Sequence, residues 1–250
     1  MGFWPAVASY GPHFGEERPL VGTGGSGTIF LGGCNLLCIF CQNHDISHGA
    51  QGIPTSPEKM AEIMLELQQR GCHNINFVTP THFAAPLAEA ILAARKRGLS
   101  VPVVYNSSGY DAVETLRLLE GLIDIYMPDA KFWSPEAAER LTGRRDYPEV
   151  MRAALREMQR QVGDLAVEGA VATRGLLIRH LVLPADLAGT GEIVQFIARE
   201  ISPNAYINIM GQYRPCFRAR EIPEMARMPT MEEIGAARDL AERAGLRLDE

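Results

Sequence analysis

Cysteine is scarce in this chain. There are five among 250 residues, an odd number and too few for a disulfide framework. Long apolar runs are missing too. None approaches the ~20 residues that cross a bilayer, and the N-terminus lacks the pattern of a secretory leader. The expected setting is therefore the cytoplasm, which keeps thiols reduced, with no membrane partner. Positive charge is also in short supply: 24 Lys and Arg stand against 30 Asp and Glu, a formal net charge of −6. That balance argues against nucleic acid as a partner. There is no internal repeat and no low-complexity tract. The Gly-rich TGGSG at 23–27 lacks the Lys and helix of a phosphate loop. What remains is an ordinary globular composition, 46% hydrophobic and 22% charged. At this length about three quarters of the unfolded surface can be buried, so the core needs no staples.

The few cysteines are not scattered. Cys34, Cys38 and Cys41 fall in one short loop, after an apolar run that ends in Gly32-Gly33, and Phe40 precedes the last of them. Three thiolates from one loop can converge on one inorganic centre, and soft sulfur ligands select an iron–sulfur cluster or zinc. A four-iron cluster takes four cysteines. Here a nearby fourth is absent, which leaves one iron open to a ligand that is not protein. The alternative is a zinc-binding interaction module in which His44 completes a Cys3His set.

From residue 28 onward, strand patterns alternate with helix patterns. Strands are expected at 28–32, 74–79, 101–105, 122–127, 176–183 and 205–210. Helix starts are marked by Ser56-Pro57 and Ser134-Pro135, and by Thr230 with Glu233 as a capping box. Asp111 with Glu114 carries the same signal for a helix over 111–120. Further helices are expected over 86–97, 147–162 and 192–200. Residues 1–27 show no periodicity and read as an extended lead-in; His13 lies there. Residues 28–250 read as one domain. Six strands alternating with helices mean a parallel sheet with right-handed crossovers, and continuous apolar strands mean that both faces are covered. The fold class is α/β.

The spacing C-x3-C-x-aromatic-C resembles the signature of the radical S-adenosylmethionine (SAM) superfamily. The stretch GPHFGEERPLVGTGGSGTIFLGGCNLLCIFCQNHDIS is similar to the start of the core in the branch of pyruvate formate-lyase activating enzyme. That resemblance implies a partial (β/α)6 barrel with parallel strands, a [4Fe–4S] cluster and SAM as cofactors, and a flavodoxin- or ferredoxin-like electron donor. It implies reductive cleavage of SAM to a 5′-deoxyadenosyl radical that removes a substrate hydrogen, and a glycyl radical enzyme as the substrate protein. The rival reading is a radical SAM enzyme acting on a small molecule or peptide. An additional cysteine-rich segment found upstream in similar proteins is not expected here.

Parallel α/β sheets bind ligands at the carboxyl ends of their strands. By resemblance, Cys34, Cys38 and Cys41 hold the cluster, with Phe40 and Asn43 beside SAM and Gln42 and His44 nearby. Thr79-Pro80 replaces a Gly-Gly-Glu type segment whose backbone holds the SAM amino group. Asn106 and Ser107 have the donors and acceptors for ribose hydroxyls. Asp129 and Lys131 match an Asp-x-Lys, with Asp129 facing a cation or the substrate and Lys131 the SAM carboxylate. Strand alternation puts one of Arg179 and His180 inside; the matching arginine of the branch places Arg179 toward SAM, where its fork suits a carboxylate, and leaves His180 in the core. Backbone at Ile209 and Met210 flanks the adenine. Gln212, Tyr213, Arg214 and Cys216 are candidates for the substrate side, and Cys72 is expected to be structural.

Overall fold

The computed structural model describes residues 4–49 and 51–249. The chain enters on β1 (Ala6–His13), turns through the four-residue helix α1 (Arg18–Val21) and continues into β2 (Ser26–Leu31). β1 pairs antiparallel with β2, from Val7 opposite Leu31 to His13 opposite Ser26. The cysteine loop follows, then α2 (His44–Ser47) and β3 (Ile53–Pro54), which pairs with β1. Strand and helix then alternate: α3 (Pro57–Gln69), β4 (Ile75–Val78), α4 (Ala84–Lys96), β5 (Val103–Ser107), α5 (Val113–Leu118) and β6 (Ile125–Pro128). Two helices follow, α6 (Pro135–Thr142) and α7 (Tyr147–Val162), and an antiparallel hairpin of β7 (Ala166–Glu168) with β8 (Val171–Leu181). The chain ends with α8 (Thr190–Phe196), β9 (Tyr206–Met210), α9 (Met231–Arg243) and β10 (Arg247–Leu248).

The sheet order is β10-β9-β8-β6-β5-β4-β2-β1-β3. All six expected strands are present, as β2, β4, β5, β6, β8 and β9, and each pairs parallel with the next. This is an α/β fold built as an open, partial (β/α)6 barrel. Helix ends follow local chemistry. The Ser56 side chain accepts from the Lys59 N–H, with Pro57 in the first turn. Ser134 caps α6 in the same way, and Thr230 and Glu233 form the full capping box of α9.

Alternation along the strands sorts side chains into two cores. Outward residues such as Ile75, Phe77, Tyr105, Tyr126, Ile178 and Ile207 join the helices in the large core. Inward, Val104, Ile125, Met127 and Leu177 pack with Leu20 of α1. Leu20 is fully buried and plugs the floor of the barrel, a burial that stabilises by about 1.5–3 kcal/mol.

Three expectations need correction. The extended lead-in expected over 1–27 has regular structure in residues 6–27: β1 is a sheet strand and α1 floors the barrel. Asp111 is not a helix cap: α5 begins at Val113 behind Ala112, with no side-chain cap. The helix expected over 192–200 is α8 followed by a π turn, Ile197–Ile201.

Candidate functional site

The cysteine loop leaves β2 at the carboxyl end of the sheet. Gly33 turns it at φ +87°, and its N–H donates to the Ile46 carbonyl at 3.1 Å. Leu37 also holds a positive φ, +55°, uncommon for a residue with a side chain. Farther along, the Ile39 N–H donates to the Leu141 carbonyl at 3.0 Å, and Arg218 N–H to the Ile39 carbonyl at 2.9 Å. Phe40 is buried, edge-on to Phe132 and Tyr213 with ring centres 6.1 and 6.0 Å away. The loop is thus anchored by backbone bonds and one aromatic peg. Cys38 is buried, Cys34 and Cys41 partly so, and all three are free thiols. The Leu36 N–H points at the Cys34 sulfur at 3.4 Å, and Cys41 Sγ lies 3.2 Å from Ser47 Oγ. Burial pushes the Cys38 thiol up to about 12, with Lys131 pulling the other way. Burial likewise raises Cys34. Such thiols ionise when a metal takes the proton's place.

Across the barrel mouth lies a buried charge network. Arg179 Nε donates to Asp129 Oδ1 at 2.9 Å, and Lys131 Nζ to Asp129 Oδ2 at 2.6 Å. Arg179 Nη2 donates to Asn106 Oδ1 at 2.6 Å. The side chains of Asp129, Lys131 and Arg179 are 12%, 17% and 17% exposed, so this is no surface pair. Burial pushes Asp129 toward its neutral form, but Arg179 and Lys131 outweigh it and hold the carboxyl below its ordinary range. Burial also works against the ammonium of Lys131, and Asp129 more than restores it. Arg179 and Lys131 share the Asp129 carboxylate, and their N–H groups not taken by Asp129 or Asn106 remain as donors for an incoming carboxylate. The backbone is close-packed here: a Cβ on Gly109 would meet the Asp129 carbonyl oxygen at 2.3 Å. The Tyr147 hydroxyl accepts the Lys131 N–H at 3.0 Å and stands 2.9 Å from that same carbonyl.

Thr79 sits at φ +62° with its N–H donating to the Asn106 carbonyl at 2.9 Å. A β-branched residue there is strained; the backbone keeps a shape natural to glycine although the side chain is threonine. Ser107 faces the other way from Asn106: its hydroxyl donates to Asp111 Oδ2 at 2.6 Å, on the helix side. Asp111 also accepts from Thr81 Oγ1 and Tyr105 OH. Met210, on the inward parity of β9, is partly buried, and Ile209 packs outward. His180 is fully buried, with Nδ1 2.7 Å from the Ala130 carbonyl and Nε2 2.9 Å from Thr190 Oγ1. It is a satisfied core histidine.

After β9 the chain folds back over the cysteine loop. Tyr213 is buried, donates its hydroxyl to the Met225 carbonyl at 2.7 Å and packs on Phe40. It is a wall, not a free substrate ligand. Gln212 and Arg214 are exposed, and Cys216 is partly buried. Phe217 stacks on His44 at 4.8 Å between ring centres, and His44 Nε2 lies 3.0 Å from Asp45. Asn43 and Gln42 are exposed at the start of α2. His13 is exposed, edge-on to Phe30. Cys72 is sealed in the large core.

Residues 28–174, more than half of the chain, match the model of the radical SAM superfamily, and the chain belongs to that superfamily. It is 37% identical over 246 residues to an uncharacterized protein of Methanocaldococcus jannaschii, covering 94% of this chain and 67% of that one. Among solved structures, a domain of pyruvate-formate lyase-activating enzyme from Bacteroides vulgatus aligns with a TM-score of 0.51 at 12% identity, over 70% of this chain and 96% of that one. Methylornithine synthase aligns with a TM-score of 0.51 at 11% identity, over 88% and 70%. At such identities the likeness is one of fold. The cofactors of the superfamily are a [4Fe–4S] cluster and SAM. The donor set here fits them: three free thiols on one loop, and the Arg179 and Lys131 donors across the mouth. Among the described residues no three His, Cys, Asp or Glu side chains converge as ligands of a single ion. Thiolates that each take a different iron need no such common point. Superfamily membership sets aside the zinc module.

Sequence reasoning passed over the floor of this site. Glu17 is 6% exposed, and its Oε1 accepts from Asn208 Nδ2 at 3.3 Å. Asn76 is fully buried on the inward face of β4, where its side chain meets Glu16. The signal was there: Asn76 and Asn208 interrupt apolar strands at the inward parity, and an acid pair closes GPHFGEE.

Proposed function

We propose that Cys34, Cys38 and Cys41 bind three irons of one [4Fe–4S] cluster and that SAM takes the fourth. When bound, cluster and SAM together supply one-electron cleavage to a 5′-deoxyadenosyl radical, which removes a hydrogen atom from the substrate. The observation that carries this reading is the anchored C-x3-C-x-aromatic-C loop facing the Asp129–Lys131–Arg179 network. Arg179 and Lys131 bind the SAM carboxylate. The strained Thr79 carbonyl receives its amino group, Asn106 meets the ribose, and the backbone at Met210 flanks the adenine. Phe40 and Asn43 border the same site. A flavodoxin- or ferredoxin-like protein delivers the electron, and a cytoplasmic setting suits the reduced thiols. Anaerobic protein with reconstituted cluster, given dithionite and SAM, is expected to form 5′-deoxyadenosine and methionine. A colourless protein with one zinc and no product would refute it.

The substrate we infer is the backbone glycine of a glycyl radical enzyme, on the branch resemblance. Mixing the reduced, SAM-loaded protein with candidate enzymes should give a glycyl doublet in EPR. A small-molecule or peptide substrate is the second reading, favoured by the buried amides and carboxylates that line the barrel, with Gln212, Arg214 and Cys216 at its rim.

A further inference from the structure

Glu17 lies outside the residues that match the superfamily, and the reading above gives it no role. Yet it enters the barrel. The first and last strands of the parallel series, β2 and β9, do not pair with each other, which leaves a seam between them. Glu17 comes from the segment that joins β1 to β2, on one side of that seam. Besides its neighbour Glu16, its side chain meets two residues on the other side: Asn208 of β9 and, 3.8 Å from its Oε1, Nη1 of Arg179 on β8. Arg179 and Asn208 are register partners. The guanidinium is therefore hydrogen-bonded at two nitrogens, Nε to Asp129 and Nη2 to Asn106, and paired with the Glu17 carboxylate at the third, Nη1, by charge at 3.8 Å. A planar fork held on three sides cannot rotate freely, while its unused N–H donors remain for a ligand.

We propose that Glu17 is a positioning residue for SAM: it reaches across the open seam to orient Arg179, so that the fork meets the SAM carboxylate already aligned. The proposal rests on Arg179 being a SAM ligand, as argued above. The carboxylate of Glu17 adds to that of Asp129 in keeping Arg179 charged, against the effect of burial.

The test is SAM affinity, read on cluster-reconstituted protein as the SAM concentration that half-converts the EPR signal of the reduced cluster. Glu17→Ala should weaken binding about tenfold, the scale seen when a partner that orients a ligand is removed. Its iron content and the signal at saturating SAM should be unchanged. Glu17→Gln, which keeps length and an acceptor oxygen, should recover most of the loss. Arg179→Lys should weaken binding on its own, and Glu17→Ala should add less than about twofold to it, since both act through one group. If Glu17→Ala fails to take up iron, Glu17→Asp decides: the shortened carboxylate should still weaken binding several-fold. Wild-type affinity in Glu17→Ala or Glu17→Asp, with Arg179→Lys weakened, overturns the proposal. So do losses that multiply in the double variant. Unchanged affinity in Arg179→Lys instead overturns the reading of Arg179 itself.

Discussion

The two faces of the parallel sheet carry the same residue types and put them to different chemistry. Each face holds an aspartate almost sealed from solvent, Asp129 at 9% and Asp111 at 1% exposure counted over the whole residue. Asp129 meets two cations, Arg179 and Lys131. Asp111 meets only hydroxyls, those of Ser107, Thr81 and Tyr105. The direction of the shift follows from the company. Burial raises Asp111, and three hydrogen bonds do not cancel it; burial acts on Asp129 as well, and the cations reverse it. Arg179 and His180, adjacent in sequence, divide in the same way. One enters the charge network, and the other is closed off by a carbonyl and a hydroxyl. Cys38 and Cys72 are both buried against the large core, and differ in that Cys38 lies in the cysteine loop near Lys131. Burial alone does not mark a functional group. What marks it is charge that a ligand can complete.

Matched substitutions test that contrast, and the largest effect belongs to the cysteines. Cys38→Ala should abolish reductive SAM cleavage, while Cys72→Ala should retain it, as read from 5′-deoxyadenosine formation. Next come the aspartates. Asp129→Asn leaves two buried cations without their carboxylate and should cost about 3–5 kcal/mol in urea unfolding, together with SAM binding. Asp111→Asn turns an amide N–H₂ toward hydroxyl donors and should cost about 1–3 kcal/mol, with SAM binding kept.

The pH dependence of these two variants should run in opposite directions. Wild type should lose its advantage over Asp129→Asn as pH falls below the ordinary carboxyl value of 3.8 and through the depressed value of Asp129. Against Asp111→Asn, wild type should gain as pH falls through the raised value of Asp111 toward 3.8, because the folded protein favours the protonated acid. Unfolding midpoints across acid pH read both; slopes of the same sign would contradict the assignment of the two environments. The smallest effect is Tyr213→Phe, which removes one buried hydrogen bond to Met225. It should cost about 1 kcal/mol and leave SAM cleavage intact.

Where the sequence was read correctly, the signal was local. β6 is a continuous apolar run and β5 opens as one, and both are buried throughout; α7 spans 147–162 as its 3.6-residue period foretells. The three-cysteine loop stands out by spacing alone, and its role as a cluster ligand set is the proposal made above. The misreadings are of contacts between distant segments. β1 looks shapeless because its Gly and Pro hide a strand whose partner begins at Ser26. Asp111 carries the letter of an N-cap, but its partners Thr81, Tyr105 and Ser107 come from the β4 and β5 side. Tyr213 was grouped with exposed neighbours, though it belongs to the wall behind Phe40. Glu17 meets Asn208 across 191 positions of sequence, a distance no local pattern spans.

The central claim is that one iron of a three-cysteine cluster is left to SAM. The most direct measurement is electron–nuclear double resonance on the reduced cluster with SAM carrying ¹⁵N at its amino group and ¹³C at its carboxylate. The account predicts hyperfine coupling from both labels, lost in Cys38→Ala. A reduced cluster that shows no coupling to either label at saturating SAM would contradict it.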